Sequence, residues 1–306
     1  MSLLDLCAGG TILEPPTEPE ALPDVGGEQR LRERILDACL PAQREFLADE
    51  EHRILGYIGG FGSGKSWALA AKLIFLGLEN PGCTLMAVEP SFPMIRTVLI
   101  PAMDAALQQF GIEYSFRVSP QPEYRLSLPT GSVTILCQSA LNYARIRGQN
   151  IAAAVWDEAD TLNADVAQKA GEMLLARMRT GNINQLAIAS TPEGFRYCYR
   201  QFKENPGPDK RQITVQTLDN PYLPSDFVPS LERNYPSQLI AAYLRGEYVN
   251  LASCSLYPEF DRSLNYTDAQ PSLNDTIFVG IDINVGNSVT QHLSLIHISE
   301  PTRHHV

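Results

Sequence analysis

The chain is poor in the residues that build metal and redox sites. Four of its five histidines, His292, His297, His304 and His305, fall in the last fifteen of 306 residues. None stands at metal-ligand spacing from a cysteine. The six cysteines, Cys7, Cys39, Cys83, Cys137, Cys198 and Cys254, include no C-x-x-C pair, so no cysteine-based metal or redox motif is present and reduced, mostly core thiols are expected. No apolar run approaches the roughly 18 residues of a membrane span. The N-terminus lacks the basic-then-apolar layout of a signal peptide, and an intracellular protein without a membrane partner is expected. A basic excess is lacking too, since the net charge is −11. The deficit is N-terminal: residues 1 to 51 hold twelve acids against four bases, whereas residues 117 to 211 hold twelve bases against nine acids. The basic middle, with Arg177, Arg179, Arg196, Arg200, Lys203, Lys210 and Arg211, is compatible with phosphate-backbone contacts, and an ordinary solvated surface is the plainer alternative for any one of them.

What is present is enough hydrophobic sequence, 44%, for a sizeable core. Residues 1–26 contain Pro15, Pro16, Pro19, Pro23, Gly26 and Gly27 among acids and predict a flexible acidic arm. Two helices are expected at 28–36 and 41–51. Strands and helices then alternate: strand 54–58, helix 64–78, strand 84–89, helix 94–110, strands near 114–118, 124–128 and 133–137, strand 151–156, helix 162–179, strand 185–190, helix 195–204 and strand 212–217. This order predicts an α/β fold with a mainly parallel sheet covered by helices on both faces. Leu128-Pro129-Thr130-Gly131 predicts a hairpin, hence one antiparallel excursion. After Asp219-Asn220-Pro221 two short helices are expected at 226–234 and 237–246, and a strand ending in Asp282 at 276–282. No internal repeat appears.

Gly59-Gly60-Phe61-Gly62-Ser63-Gly64-Lys65-Ser66 has the spacing G-x-x-x-x-G-K-[ST], between a predicted strand and a predicted helix. Glycines let successive backbone N–H groups converge on phosphates, Lys65 neutralises the terminal ones and the Ser66 hydroxyl can ligate Mg²⁺. The helix adds the positive end of its dipole. A nucleoside triphosphate site follows. Ile151-Ala152-Ala153-Ala154-Val155-Trp156 then delivers two acids, Asp157 and Glu158. A carboxylate at the end of a buried strand is suited to hold Mg²⁺ through its water shell, the role expected of Asp157. Glu158 is the candidate general base that deprotonates the attacking water. The plainer alternative is that both acids cap the helix near Thr161.

In this order the motifs resemble the large terminase subunit of tailed bacteriophages, the ATP-driven motor that packages DNA into a preformed capsid. The resemblance covers roughly residues 40 to 290. It implies that Gln43, in Pro41-Ala42-Gln43-Arg44, reads the adenine, and that Ser190 and Thr191, in Ala189-Ser190-Thr191-Pro192, form the motif coupling hydrolysis to movement. A helix-entry signal is the alternative for Ser-Thr-Pro. Arg147, in Arg145-Ile146-Arg147-Gly148-Gln149, is the implied arginine reaching a neighbouring subunit's nucleotide, with Arg145 or a structural arginine as alternatives.

The resemblance also divides the chain into a P-loop ATPase core at 27–218, a helical subdomain or linker at 219–251 and the start of an RNase H-like nuclease at 252–292. Asp282 would be that nuclease's first metal ligand, and the nuclease is expected to be incomplete and inactive. Implied cofactors are ATP and Mg²⁺. Implied partners are double-stranded DNA, a portal protein, a small terminase subunit and further copies of this chain in a homo-oligomeric ring, in the host cytoplasm or docked on the procapsid. Another nucleic-acid ATPase of helicase type, a nucleotide-dependent switch without translocation and a silent remnant remain as alternatives. The run Leu293-Ser294-Leu295-Ile296-His297-Ile298-Ser299-Glu300-Pro301-Thr302-Arg303 looks like an in-frame translation of a sequencing adapter. Residues 293–306 are therefore expected to be foreign to the fold.

Overall fold

A computed structural model describes residues 25–251, 278–282 and 292–296. Expectations for residues 1–24 of the N-terminal arm, for most of the nuclease stub and for residues 297–306 lie outside the described residues, whereas Val25 and Gly26, expected in the arm, open the first helix. Contacts divide the chain into two units, Met1–Ala252 and Ser253–Val306.

The first unit opens with α1 (Val25–Asp37) and α2 (Pro41–Ala48), the latter starting on a proline whose missing N–H costs nothing in a first turn. Then come β1 (Ile54–Gly59), α3 (Lys65–Glu79) and β2 (Thr84–Glu89). A single helix is expected at 94–110, but the chain there is α4 (Phe92–Met94), a π-helical turn (Ile95–Leu99) and α5 (Ile100–Phe110). Pro101 explains the break, because it has no N–H to give the carbonyl four residues back. An antiparallel meander follows, β3 (Glu113–Arg117), β4 (Glu123–Leu128) and β5 (Gly131–Ser139). The β4–β5 turn pairs Leu128 with Gly131 around Pro129-Thr130, the hairpin that the sequence predicts. A 3₁₀ segment (Ala140–Gly148) leads to β6 (Ala154–Asp157), α6 (Ala164–Arg177) and β7 (Leu186–Ser190). Beyond these lie α7 (Tyr197–Tyr199) with a π turn (Arg200–Glu204), β8 (Lys210–Val215), α8 (Phe227–Asn234) and α9 (Ser237–Arg245).

The eight strands form one sheet in the order β3-β4-β5-β2-β6-β7-β1-β8. Six are parallel, and the meander supplies the antiparallel edge. The fold is α/β, as expected. Every residue of β1, β6 and β7 is buried, as for parallel strands covered on both faces. Alternate strand residues sort into two cores. Leu55, Tyr57, Leu85, Ala87 and Val155 pack with α1, α2, α3 and α5, whereas Ile54, Ile58, Met86, Val88 and Trp156 pack with α6 and α7. Helix α3 is apolar almost all round and its residues Ala68 to Leu78 are buried, so it serves as the central helix of the first core. Among the described residues Cys39, Cys83, Cys137 and Cys198 are free thiols, three of them buried.

In the second unit β9 (Phe278–Asp282) pairs antiparallel with β10 (His292–Ile296), Asp282 opposite His292. Leu293 to Ile296, expected to be extended and foreign to the motor fold, lie in β10. Among the described residues no helix is long and apolar enough to cross a membrane.

Candidate functional site

Strand order brings the motifs together. β1 carries the glycine-rich loop, β6 carries Asp157 and Glu158, and β7, ending at Ser190, lies between them. Adjacent strands are about 4.8 Å apart, so β1 and β6 are separated by about 10 Å. Side chains close the gap. Ser66 Oγ donates to Asp157 Oδ2 at 2.9 Å, and Lys65 Nζ lies 3.6 Å from Glu158 Oε1.

The loop is held by its own backbone. Lys65 Nζ donates to the carbonyls of Gly59 at 3.2 Å and Gly60 at 3.0 Å, and Ser63 Oγ donates to Gly60 O at 2.7 Å. Gly64 has φ +82°, and a Cβ there would come within 2.6 Å of Gln43 Nε2. Gln43 itself is 4% exposed. Its Nε2 donates to Gly64 O at 3.1 Å while its Oε1 accepts from Leu40 N at 2.8 Å, so α2 is fastened to the mouth of the loop.

Helix α9 meets the loop on another side. Phe61 N donates to Tyr243 O at 2.6 Å, and the Phe61 and Tyr243 rings lie 4.5 Å apart. Thr217 Oγ1 donates to Phe61 O at 2.8 Å and Asn220 Nδ2 to Gly62 O at 2.6 Å. Gly60 has no room for a side chain, because a Cβ would sit 2.4 Å from Tyr243 O.

Glu158 is the one non-glycine residue with positive φ among the described residues, at +46°. Such a conformation costs on the order of 1 kcal/mol or more and persists only where its surroundings impose it. Here Glu158 N donates to Ala189 O at 2.7 Å and to Asp157 Oδ1 at 3.0 Å. The carboxylate accepts from Thr191 N at 3.0 Å (Oε2) and from Thr191 Oγ1 at 3.4 Å (Oε1). Glu158 does stand at the N-cap of the 3₁₀ turn Ala159–Thr161, its carbonyl accepting from Thr161 N at 3.2 Å, but neither acid's side chain caps that turn, and Asn163 caps α6 by accepting from Val166 N. Thr191 does not open a helix either, since the next begins at Tyr197. Ser190 Oγ accepts from Asp160 N at 3.1 Å, and buried Asp160 accepts from Cys198 N at 2.7 Å, which fixes the segment beyond.

Burial, then the charge of Glu158, raises the Asp157 carboxyl above its ordinary value, against the pull of Lys65 and the Ser66 hydrogen bond. A bound divalent cation favours the charged form instead. A second buried acid, Glu89 at the end of β2, is raised by burial and then by Asp157 and Glu158, and its Oε2 has no hydrogen-bond partner. An orphaned buried carboxylate oxygen next to Ser66 and Asp157 fits a hydrated magnesium ion, which binds through one or two carboxylates, phosphate oxygens and several waters. The sequence reading missed Glu89. Leu85-Met86-Ala87-Val88-Glu89 carries the same signal as the β6 run, an apolar strand ending in an acid.

Arg145 and Arg147 are exposed on the 3₁₀ segment. Several basic residues named from the sequence serve the fold. Arg211 pairs with Glu45 and Asp49, Arg196 donates to Asp160 O, Arg179 to Asn150, and Lys210 to Gln201 and Asn205. Arg200 and Lys203 remain exposed. Of Asp282 only the strand position is described.

Residues 57–264 match the family model for the N-terminal part of the T4likevirus-type terminase large subunit. The chain belongs to this family. The large terminase of a thermophilic bacteriophage, solved in complex with ATP-gamma-S, is similar in structure, with TM-score 0.56 at 14% identity over 83% of this chain and 61% of that one. The large terminase ATPase domain of Thermus phage P74-26 is similar with TM-score 0.52 at 15% identity, over 68% of this chain and 93% of that domain. For the large terminase of bacteriophage HK97 the values are 0.50 and 12%, over 85% and 63%. This chain spans about 62% of the length of the thermophilic bacteriophage's protein. No curated protein matches the sequence.

Proposed function

We propose that the chain binds ATP with Mg²⁺ and hydrolyses it as a motor subunit that drives double-stranded viral DNA into a preformed capsid. The observation that carries this reading is the 3.6 Å approach of Lys65 Nζ to Glu158 Oε1, which brings the phosphate loop and the acidic strand into one site. The relative from the thermophilic bacteriophage, solved with ATP-gamma-S, supports the choice of nucleotide.

In this mechanism the loop's remaining N–H groups, Phe61's being taken by the Tyr243 carbonyl, would face the phosphates, and the Lys65 ammonium neutralises the terminal one. Gln43, fixed between Leu40 and Gly64, faces the base. Ser66 and Asp157 would hold Mg²⁺, which would supply positive charge to offset that developing on the phosphates. Glu158, aimed by Thr191, orients a water and takes its proton. Loss of the γ-phosphate changes what Glu158 faces, and through Thr191 and Ser190 the change reaches the segment after β7. Arg147 serves a neighbouring copy in a ring. Exposed Arg200 and Lys203 are candidates for DNA phosphates.

The core spans 27–218, residues 219–251 form a helical linker, and Asp282 is the first metal ligand of a nuclease region that begins near 252. A portal protein and a small terminase subunit are the partners this role requires, on a procapsid in the host cytoplasm. ATP turnover measured with and without double-stranded DNA tests the reading. Stimulation by DNA is expected. Turnover indifferent to DNA returns the chain to the class of nucleotide switches.

A further inference from the structure

Glu89 ends β2, which runs parallel to β6 with Met86 beside Ala154, Ala87 beside Val155 and Val88 beside Trp156. One step further Glu89 comes level with Asp157. Paired residues of a parallel ladder point to the same side of the sheet. Val88 and Trp156 pack in the core of α6 and α7, so Glu89 and Asp157 turn to the opposite face, where α3 begins with Lys65 and Ser66. The two carboxylates and Ser66 line a cavity of about 10 Å³ walled by Leu69, Leu99 and Val155. That is about the room one water needs. Glu89, one of the residues lining this place, is 1% exposed, and its Oε2 has no hydrogen-bond partner.

We propose that Glu89 is a positioning residue for the magnesium ion, its Oε2 accepting a hydrogen bond from a water of the ion's hydration shell. The inference rests on the nucleotide reading above. Magnesium gives up its waters reluctantly and is held as much through them as through direct ligands. A carboxylate one water away fixes the orientation of that water and, through it, the place of the ion beside Ser66 and Asp157. Loss of such an outer partner typically weakens metal affinity about 10- to 100-fold. Because Glu89 also lies within electrostatic reach of Glu158, the readout that isolates its role is the Mg²⁺ dependence of nucleotide binding rather than turnover.

The test is binding of a fluorescent ATP analogue to wild type, Glu89→Gln and Glu89→Asp, first in EDTA and then along a Mg²⁺ titration. In EDTA, Glu89→Gln should bind the analogue as wild type does and melt at no lower temperature, which also reports that it is folded. The Mg²⁺ concentration giving half of the metal-dependent change should rise by about tenfold or more in Glu89→Gln. Glu89→Asp, which keeps the charge on a shorter arm, should fall between the two. Asp157→Asn should lose the metal response. A Glu89→Gln midpoint equal to or below that of wild type overturns the inference and leaves the nucleotide reading standing. A wild type whose nucleotide binding ignores Mg²⁺ overturns both. Should Glu89→Gln misfold, the Glu89→Asp midpoint decides alone, with an unchanged value overturning the proposal.

Discussion

Thr191 holds Glu158 by two donors, its backbone N–H at 3.0 Å from Oε2 and its hydroxyl at 3.4 Å from Oε1. The end of β7 therefore sets the direction of the carboxylate at the end of β6. The two contacts differ in what mutation can remove. Glu158→Gln should leave nucleotide binding intact and lower turnover by about 10² or more, the scale of a lost general base. Thr191→Val removes only the longer, hydroxyl contact and should cost less than tenfold, about one weak hydrogen bond. Steady-state turnover beside equilibrium nucleotide binding measures both. Full turnover in Glu158→Gln rejects its role.

Arg147 projects from an exposed 3₁₀ segment, and its proposed work is in a neighbour's site. Arg147→Ala and Lys65→Ala should each be inactive alone. Mixed, some hydrolysis should return, because a Lys65→Ala subunit still offers its arginine to an intact site in an Arg147→Ala subunit. Absence of rescue at every ratio, with assembly verified by light scattering, places the arginine's role within its own chain or removes it. The same mixture with Arg145→Ala distinguishes the two arginines.

Gln43 is tied at both ends, to Leu40 and to Gly64. Gln43→Ala should raise KM for ATP by about tenfold, the scale of a hydrogen bond or two, and narrow the preference for ATP over GTP, with kcat changed less. Parallel kinetics with the two nucleotides check this. An unaltered preference leaves Gln43 as a structural brace only.

Lys72 lies midway along α3, 1% exposed, its Nζ donating to Leu47 O at 3.1 Å and Asp49 O at 2.7 Å. Burial brings the ammonium down from 10.5 to about 7, opposed by Asp49, Glu50 and Glu79 and aided by Arg32. Between those values the unfolded chain binds a proton that the folded chain has released, so this group's contribution to stability rises with pH across that window. Urea unfolding from pH 7 to 10 should show wild type gaining on Lys72→Met. A difference that stays constant with pH rejects the lowered value.

Local signals carried most of the fold. The strands at 54–58 and 84–89 and the hairpin at Pro129-Thr130 need only short apolar runs and turn chemistry, and they appear as Ile54–Gly59, Thr84–Glu89 and the β4–β5 turn. The glycine loop and the two acids were legible because their chemistry is written in consecutive residues. Relations across the sheet were not. Nothing in Ala187-Ile188-Ala189 says that β7 lies between β1 and β6, and without that order the alignment of Glu89 with Asp157 is invisible. The π turn at Ile95–Leu99 answers to Pro101, whose effect on an otherwise helical pattern is one of shape rather than termination. The bond from Asn220 to Gly62 joins positions 158 apart. No local window contains it.

The hydrogen bond from Phe61 to the Tyr243 carbonyl, with Gly60 pressed against the same oxygen, gives the phosphate loop a mechanical connection. Helix α9 is the last helix before residue 251, so a displacement of α9 reaches the loop through this contact. Coupling of this kind is reciprocal in free energy. If nucleotide occupancy shifts α9, then a load on α9 must change the affinity for nucleotide by the same free energy, and the site would keep or shed its nucleotide according to how hard α9 is pulled.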